Sequence, residues 1–415
     1  MNKTKFIIVL LLLSLPLDVL PSGGSIYSRY GLGDFYFSFS ARRMALGDLG
    51  IATADFDYLN YLNPAGWNKV RLSRFETGII THGNGISSNS SSVFHTQTIF
   101  SGMMLGFPLE RDLGLTLAGG IVPYSNVNYD VSYEEDDPIA GKHFVQYNGD
   151  GGLSKAFIGL SVKLPFDFAL GASFDYFTGK IEHISSAEFG PESEFISASF
   201  ARDYSYHGIG FTLGLISNNL ADIFGSEFIK DLRLGFIYSS QSQLNTDTTV
   251  TSTTLIGDVE SSTGSFKTEL PGRIGVGISL MVNGGYSITA DYLYQAFSNY
   301  SANGKNFGVL RDLSKISLGV EYRNPDVRSY SFWEQVMLRG GLSYESTQYE
   351  FNGKGIDQIS LYTGFSMPLG FDNTLDLGFQ FGRRGTKEGN LLSENFYKFS
   401  ITLSIGELWF IRTER

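Results

Sequence analysis

The sequence predicts an all-β protein: a transmembrane antiparallel β barrel of about 14 strands with an N-terminal plug. Three observations predict it. The 415 residues carry 49 Gly, 34 Phe and 23 Tyr but only 18% charged residues, against about 25% in an average soluble protein. From Arg71 onward, segments of roughly ten residues or more alternate apolar with small or polar residues, the pattern of strands with one face to lipid and one to a lumen. The connections between these segments alternate short and long, as periplasmic turns and outside loops do.

The first residues read as an export signal, residues 1–24. Lys3 and Lys5 precede an apolar run from Phe6 through Leu20, and Ser22, Gly23, Gly24 and Ser25 form a small-residue cleavage zone. At roughly 15 residues the run is short for a spanning helix, which needs about 20. Export and the barrel pattern together place the protein in the outer membrane of a Gram-negative bacterium.

Residues 25–70 come next. Their centre, Arg42 to Trp67, is rich in Gly, Ala and Asp and has neither helical nor strand periodicity, so it is expected to be the plug. It holds Asn63-Pro64-Ala65-Gly66, where the residue before Pro is pushed out of the helical region and starts a turn. Gly31-x-Gly33 lacks the strand–turn–helix setting of a phosphate loop.

Residues 71–415 form the expected barrel. The clearest strands lie in its second half. Ile274, Val276, Ile278 and Leu280 alternate with Gly275, Gly277 and Ser279; Ile316, Leu318, Val320 and Tyr322 with Ser317, Gly319 and Glu321; Leu375, Leu377, Phe379 and Phe381 with Asp376, Gly378, Gln380 and Gly382. Short turns are expected at Pro108–Gly114, Leu164–Phe168, Val282–Tyr286 and Pro368–Thr374. Long polar connections are expected at His82–Ser92, Glu134–Lys142, Gln241–Lys267, Tyr300–Asn306 and Gly382–Ser393.

The third strand stands apart. In Asp112–Val131 an ordinary alternation is followed by Gly119, Gly120, Pro123 and Tyr124. Proline gives no N–H to a ladder and paired glycines permit a bend, so a break in the wall is expected here. The same residues also suit a β-bulge with no further role. Trp409 and Phe410, near the end, are followed by the tail Ile411–Arg415 rather than ending the chain.

Several functions are excluded or lack support. The absence of Cys removes disulfides, thiol nucleophiles, thiolate metal sites and a lipid-anchored N-terminus, and a net charge of -11 speaks against nucleic acid. The five His are scattered without metal-binding spacing, and no catalytic set, cofactor or metal is expected. Glu134, Glu135, Asp136 and Asp137 read as a solvated charge run more readily than as a Ca²⁺ site. Asp175, Asp291, Glu321, Arg339 and Asp376 are expected to face the lumen and pair with one another or with the plug.

These stretches together resemble the FadL family, outer-membrane channels for hydrophobic compounds, in a Bacteroidetes-type form. The small residues Ala45, Gly47, Gly50, Ala52 and Ala54 leading to Asn63, Pro64 and Ala65 resemble its hatch. Gly119, Gly120, Pro123 and Tyr124 resemble its kinked third strand. Leu270-Pro271-Gly272-Arg273 with Asp291-Tyr292, and Leu338–Tyr344, resemble two of its later strands. The resemblance implies passive passage of fatty acids or aromatic compounds through a monomeric barrel, with a side opening to membrane lipid at the third strand. It implies a second reading as an alternative, because barrels of this family serve Bacteroidetes-type secretion systems as partners or shuttles of secreted proteins.

Overall fold

The computed structural model describes residues 24–407, except 90, 191–192, 226–227, 255–256, 307, 326–330 and 371. The expected signal (residues 1–23 of it) and the Trp409–Arg415 tail lie outside the described residues. The chain forms a closed antiparallel barrel of 14 strands. They are β1 (Ser73–Ser87), β2 (Ser92–Glu110), β3a (Leu115–Pro123) continued by β3b (Ser125–Asp137), β4 (Gly141–Lys163), β5 (Ala169–Phe189) and β6 (Ala198–Ile216). Next come β7a (Ile229–Ser239) with β7b (Ser242–Thr254), β8a (Gly257–Leu270) with β8b (Arg273–Val282), β9 (Tyr286–Gln295) and β10 (Leu313–Tyr322). The last four are β11 (Met337–Phe351), β12 (Lys354–Pro368), β13 (Thr374–Gly385) and β14 (Ser393–Glu407). β14 closes the wall on β1, from Ser73 opposite Glu407 to Ser87 opposite Ser393.

The two faces differ as the alternation requires. Ile274, Val276 and Ile278 of β8b, Ile316, Leu318 and Val320 of β10, and Ile359 and Leu361 of β12 are exposed outward. Contiguous apolar surface on this scale is lipid-facing, because in water it would cost about 25 cal/mol for each Å². Tyr176, Tyr238, Tyr292 and Tyr344 stand on the outer surface towards one end of the band, and the tilted rings of Tyr286 and Tyr322 meet at the other with centres 5.0 Å apart, the girdles of a membrane barrel.

Most of the polar stretches expected as long outer connections are paired strands. Glu134–Asp137 ends β3b opposite Gly141–Phe144 of β4. The Ser/Thr-rich Thr246–Thr254 pairs with Gly257–Phe266 in the β7b–β8a hairpin. Beyond the lipid band neither face of a strand has to be apolar, so these residues pair without showing alternation.

Residues 24–70 pack against the inward-facing side of the strands. They include a short helix α1 (Ala41–Ala45), whose cap Ser40 accepts from Arg43 N–H at 3.3 Å, and a 3₁₀ helix (Pro64–Lys69). Leu32, Phe37, Leu49, Ile51, Leu59 and Trp67 of this segment share one buried core with wall residues such as Met104, Val122, Phe157, Phe177 and Ile237. Wall glycines admit the segment's backbone. A Cβ on Gly319 would lie 2.5 Å from Leu46 O, on Gly341 2.6 Å from Gly47 N, and on Gly235 2.5 Å from the Ala52 Cα, distances real side chains do not reach. The small second face of the strands is therefore a docking surface.

Candidate functional site

Asn63-Pro64-Ala65-Gly66 forms the start of the 3₁₀ helix. Asn63 is wholly buried. Its Oδ1 accepts from Ala65 N–H at 3.0 Å, and its Nδ2 donates to Ile51 O at 2.7 Å and, more weakly, to Leu215 O and Phe236 O of the wall at 3.4 Å. A Cβ on Gly214 would collide with Asn63 Oδ1, and one on Gly171 with Pro64 and Ala65. The motif is a buried capped turn fitted to β5 and β6. Asn60 knots the segment from within, donating to Gly50 O at 2.8 Å and accepting from the N–H groups of Leu62 and Asn63.

Charged side chains fasten the segment to the wall. Arg42 bridges Asp55 (2.5 Å) and Glu321 (2.8 Å), and Arg43 also reaches Asp55 at 2.8 Å. Arg339 adds a second cation to Glu321 at 2.5 Å and lies 3.4 Å from Asp376. Lys315 joins Asp48 at 2.8 Å to Glu345 at 3.4 Å, and Arg384 joins Asp34 at 2.8 Å to Glu394 at 2.7 Å. The carboxylate of Asp291 accepts from Gly50 N–H and Ile51 N–H at 3.0 and 2.9 Å. Burial works against the Asp55 charge, but Arg42 and Arg43 outweigh it and hold its carboxyl below the usual range. Asp175 instead lies near Lys155, at 3.6 Å. The five charges expected to face the lumen all lie buried there.

The third strand interrupts the wall, at a definite place. Gly119 and Gly120 are paired on both sides, with Leu105 and Met104 of β2 and with Ile158 and Phe157 of β4. Pro123 ends β3a and Tyr124 is the residue at the break. Tyr124 turns into the lumen, where its hydroxyl lies within 3.4 Å of Arg273 Nη2 and 3.3 Å of Gln295 Nε2, and Gln295 also donates to Pro271 O at 2.8 Å. Above the break β3b pairs only with β4 along its length, apart from the two-residue contact of Ser125 and Asn126 with Phe35 and Asp34. The β2–β3 ladder ends at Met103 opposite Ile121. Among the described residues no ladder joins Ser92–Gly102 to β3b, and their facing edges form a seam. Asn126 Nδ2 donates to Gln97 Oε1 across it at 3.1 Å. Gly151 and Gly152 of β4 (φ +119° and +151°) make the matching bend in the next strand.

Two spaces adjoin this seam. Below it, an apolar groove of about 240 Å³ is lined by Met103, Leu105, Phe107, Leu117, Ile121 and Ile158 around the bare backbone of Gly119 and Gly120. Behind it, in the lumen, lies a polar chamber reached by Gln97 and Asn126 from the seam and by Gln358, Gln380, Arg384 and Lys398 from the far wall.

The BamG family profile matches residues 1–414. The chain belongs to the BamG family. Among solved structures, this BamG-family chain is similar to the CymD monoaromatic hydrocarbon channel (15% identity, 91% of this chain and 99% of that one, TM-score 0.57). It is similar also to the Ralstonia pickettii toluene transporter TbuX (15%, 89% and 99%, TM-score 0.58) and to a Pseudomonas aeruginosa FadL homologue (13%, 90% and 98%, TM-score 0.56). At these identities the likeness is one of fold. No curated protein matches the chain. The sequence signals that reasoning passed over in this BamG-family chain are Asn60, the Arg42–Arg43 pair with Asp55, and the Gly151-Gly152 pair that bends β4 opposite the break.

Proposed function

We propose that the protein is an outer-membrane channel for hydrophobic small molecules, closed by residues 25–70 as a plug and open sideways near the third strand. The observation that carries this reading is the end of the β2–β3 ladder at Met103 and Ile121, beside an apolar groove on the lipid face. An unpaired strand edge costs several kcal/mol per group in hydrocarbon. A fold that leaves one at this point, with a lumenal chamber behind it, supports a route between lumen and bilayer. Gly119 and Gly120 floor the groove, Pro123 and Tyr124 turn the strand away, and Asn63 to Gly66 anchor the plug. The monoaromatic hydrocarbon and toluene specificities named for the similar structures support apolar cargo.

The test is uptake of labelled toluene and oleate into proteoliposomes. The chain has no Cys, so Gln97→Cys with Asn126→Cys can be joined by a short bis-thiosulfonate. Uptake above protein-free vesicles that falls when the seam is joined is the expected result; uptake no greater than that of empty vesicles overturns the reading.

One observation favours the alternative, a partner or shuttle of a secretion system. The β3b–β8a sheet continues beyond the lipid band, and at its far side Gly257–Phe266 ladder only with β7b among the described residues. Such an edge can accept a strand from another protein. A secreted protein retained in stoichiometric amount through mild extraction would decide for it.

A further inference from the structure

Six neighbouring strands, β3 to β8, change course at one level. β3 is interrupted at Tyr124, β7 between Ser239 and Ser242, and β8 between Leu270 and Arg273. Between them β4 bends at Gly151 and Gly152. Gly179 of β5 lies against that bend, where a Cβ would be 2.0 Å from Gly152 O, and Gly210 of β6 faces Phe177 and Ser240. Tyr124, Phe177, Ser240 and Pro271 line one small space, so the interruptions lie together although they fall on different rungs. Glycines and missing ladder bonds are what a sheet needs to fold across its strands.

Above this line the six strands form a panel that the rest of the wall scarcely holds. Below it β3a is laddered to β2, and β8b to β9. Above it, among the described residues, β3b has no ladder to β2. On that level β8a keeps only Thr268 and Glu269 opposite Ala302 and Ser301, with Lys267 O accepting from Asn303 N–H at 3.0 Å. The panel rises beyond the lipid band, where water can pair with free strand edges.

Residues 24–35 tie the panel to the opposite wall. On the panel side, Asn128 N–H donates to Ser28 Oγ at 3.1 Å, and Asp34 and Phe35 pair with Asn126 and Ser125. On the far side, Ser25 Oγ donates to Glu394 at 3.0 Å, Tyr27 Oη to Leu392 O at 2.6 Å and Gln348 Nε2 to Gly33 O at 2.9 Å. Asp34 also accepts from Arg384 at 2.8 Å and from Tyr349 Oη at 2.9 Å. Val127, Ile181 and Leu244, just above the bend, are wholly buried in the common core, which makes the closed position the resting one.

We propose that this panel is a lid hinged along the line of interruptions, and that residues 24–35 are the strap that keeps it shut. Its tilt carries Asn126 away from Gln97, so lid and side opening move together. The inference rests on the proposed side opening for what the motion admits, whereas the motion itself is read without cargo.

Phe189 stands ten residues above Gly179 on β5, about 33 Å at 3.3 Å per residue, so a tilt of about 10° moves the tip by roughly 6 Å. The test attaches spin labels through Glu188→Cys on the panel and Lys387→Cys on the opposite rim, both exposed positions. Pulsed electron resonance on the full chain in nanodiscs reads the distance between them. With the strap intact, one narrow distance is expected. Ser28→Ala with Asp34→Asn removes the strap's bonds to Asn128 and Arg384, and should add a population longer by roughly the tip displacement. Arg42→Met loosens the lumenal segment away from the strap and should leave the distance unchanged. A distance that stays at the parent value in the strap variant overturns the lid, and an equal shift in Arg42→Met overturns the strap. If the double variant loses its heat-resistant barrel mobility, Gly33→Ala decides in its place, since its Cβ would lie 2.2 Å from Asn126 O and part strap from panel. Toluene uptake on the same preparations separates the two readings. Uptake by a chain whose panel never moves defeats the lid alone, and a moving panel in a chain that takes up nothing defeats the channel.

Discussion

Arg42→Met tests what holds the lumenal segment in place. Among the described residues, Arg42 is the one side chain that joins the segment's own Asp55 to Glu321 on β10 by ion pairs. Its side chain is 4% exposed, that of Glu321 6% and that of Asp55 21%. Methionine keeps the stem against Tyr58, whose ring lies 4.1 Å from the guanidinium, and removes the charge. Breaking a buried pair by removing one partner costs about 3–5 kcal/mol. Arg43 still reaches Asp55 and Arg339 still reaches Glu321, and Asp55 is partly exposed, so the lower figure of about 3 kcal/mol applies. At 1.4 kcal/mol per tenfold, the undocked fraction rises by a factor of roughly 100. Because the chain lacks Cys, Thr53→Cys gives a single reporter at a residue 8% exposed, and the rate of its reaction with a maleimide reads that fraction. A rate within about twofold of the Arg42 parent, in a barrel that keeps its heat-resistant mobility, would refute the claim that this network holds the segment.

Three further outcomes use the same reporter. Asn63→Ala loses the cap on Ala65 and the 2.7 Å bond to Ile51 O; at about 1–2 kcal/mol, labelling should rise roughly 5- to 30-fold, and no rise would remove Asn63 from the anchor. Gly319→Val places a side chain against Leu46 O and should cost about 1–3 kcal/mol by overpacking, whereas Gly264→Ala, with its nearest neighbour 3.6 Å away, should leave labelling unchanged; equal effects would deny the docking role of the wall glycines. The depressed Asp55 carboxyl fixes a pH dependence: its contribution is complete above the ordinary carboxylate value of about 3.9 and disappears only as pH falls through its lower folded value. The effect of Asp55→Asn on labelling, corrected for thiol reactivity, should therefore be the same at pH 5 as at pH 7, and an effect that fades between those values would show that Asp55 is not held ionised.

The barrel was legible because lipid forces a strict rule on one face: Ile274, Val276 and Ile278 can be read as outward from the sequence alone. The other face was harder. Gly235, Gly319 and Gly341 look like ordinary barrel filling until the backbone of residues 46–52 is seen against them. The polar hairpins escaped notice because strands outside the membrane need no apolar face. Gly119, Gly120 and Pro123 in strand 3 announced a bend, but where the ladder stops depends on the neighbouring strands, and the glycine pair that bends β4 carries no mark distinguishing it from loop glycines. The ion network was out of reach for a different reason. Arg42 and Glu321 are 279 residues apart and Arg384 and Asp34 are 350 apart, so no local pattern joins them.

Those separations, with the glycine seats on β7a, β10 and β11, have a consequence for how the molecule is made. The N-terminal segment is the first part of the folded body to leave the synthesis machinery, and its seats are supplied by strands that arrive later. The first strand of the wall can find its neighbour β14 only at the end. A barrel sealed around an empty lumen would then have to admit a segment whose side chains and backbone are buried against several strands at once. The shorter route is to wind the wall around the segment, each arriving strand registering on it before the final edge closes. On that route the N-terminal segment would act as a mandrel, and a variant that weakens its docking should lower the yield of closed barrels before it alters any property of the finished one.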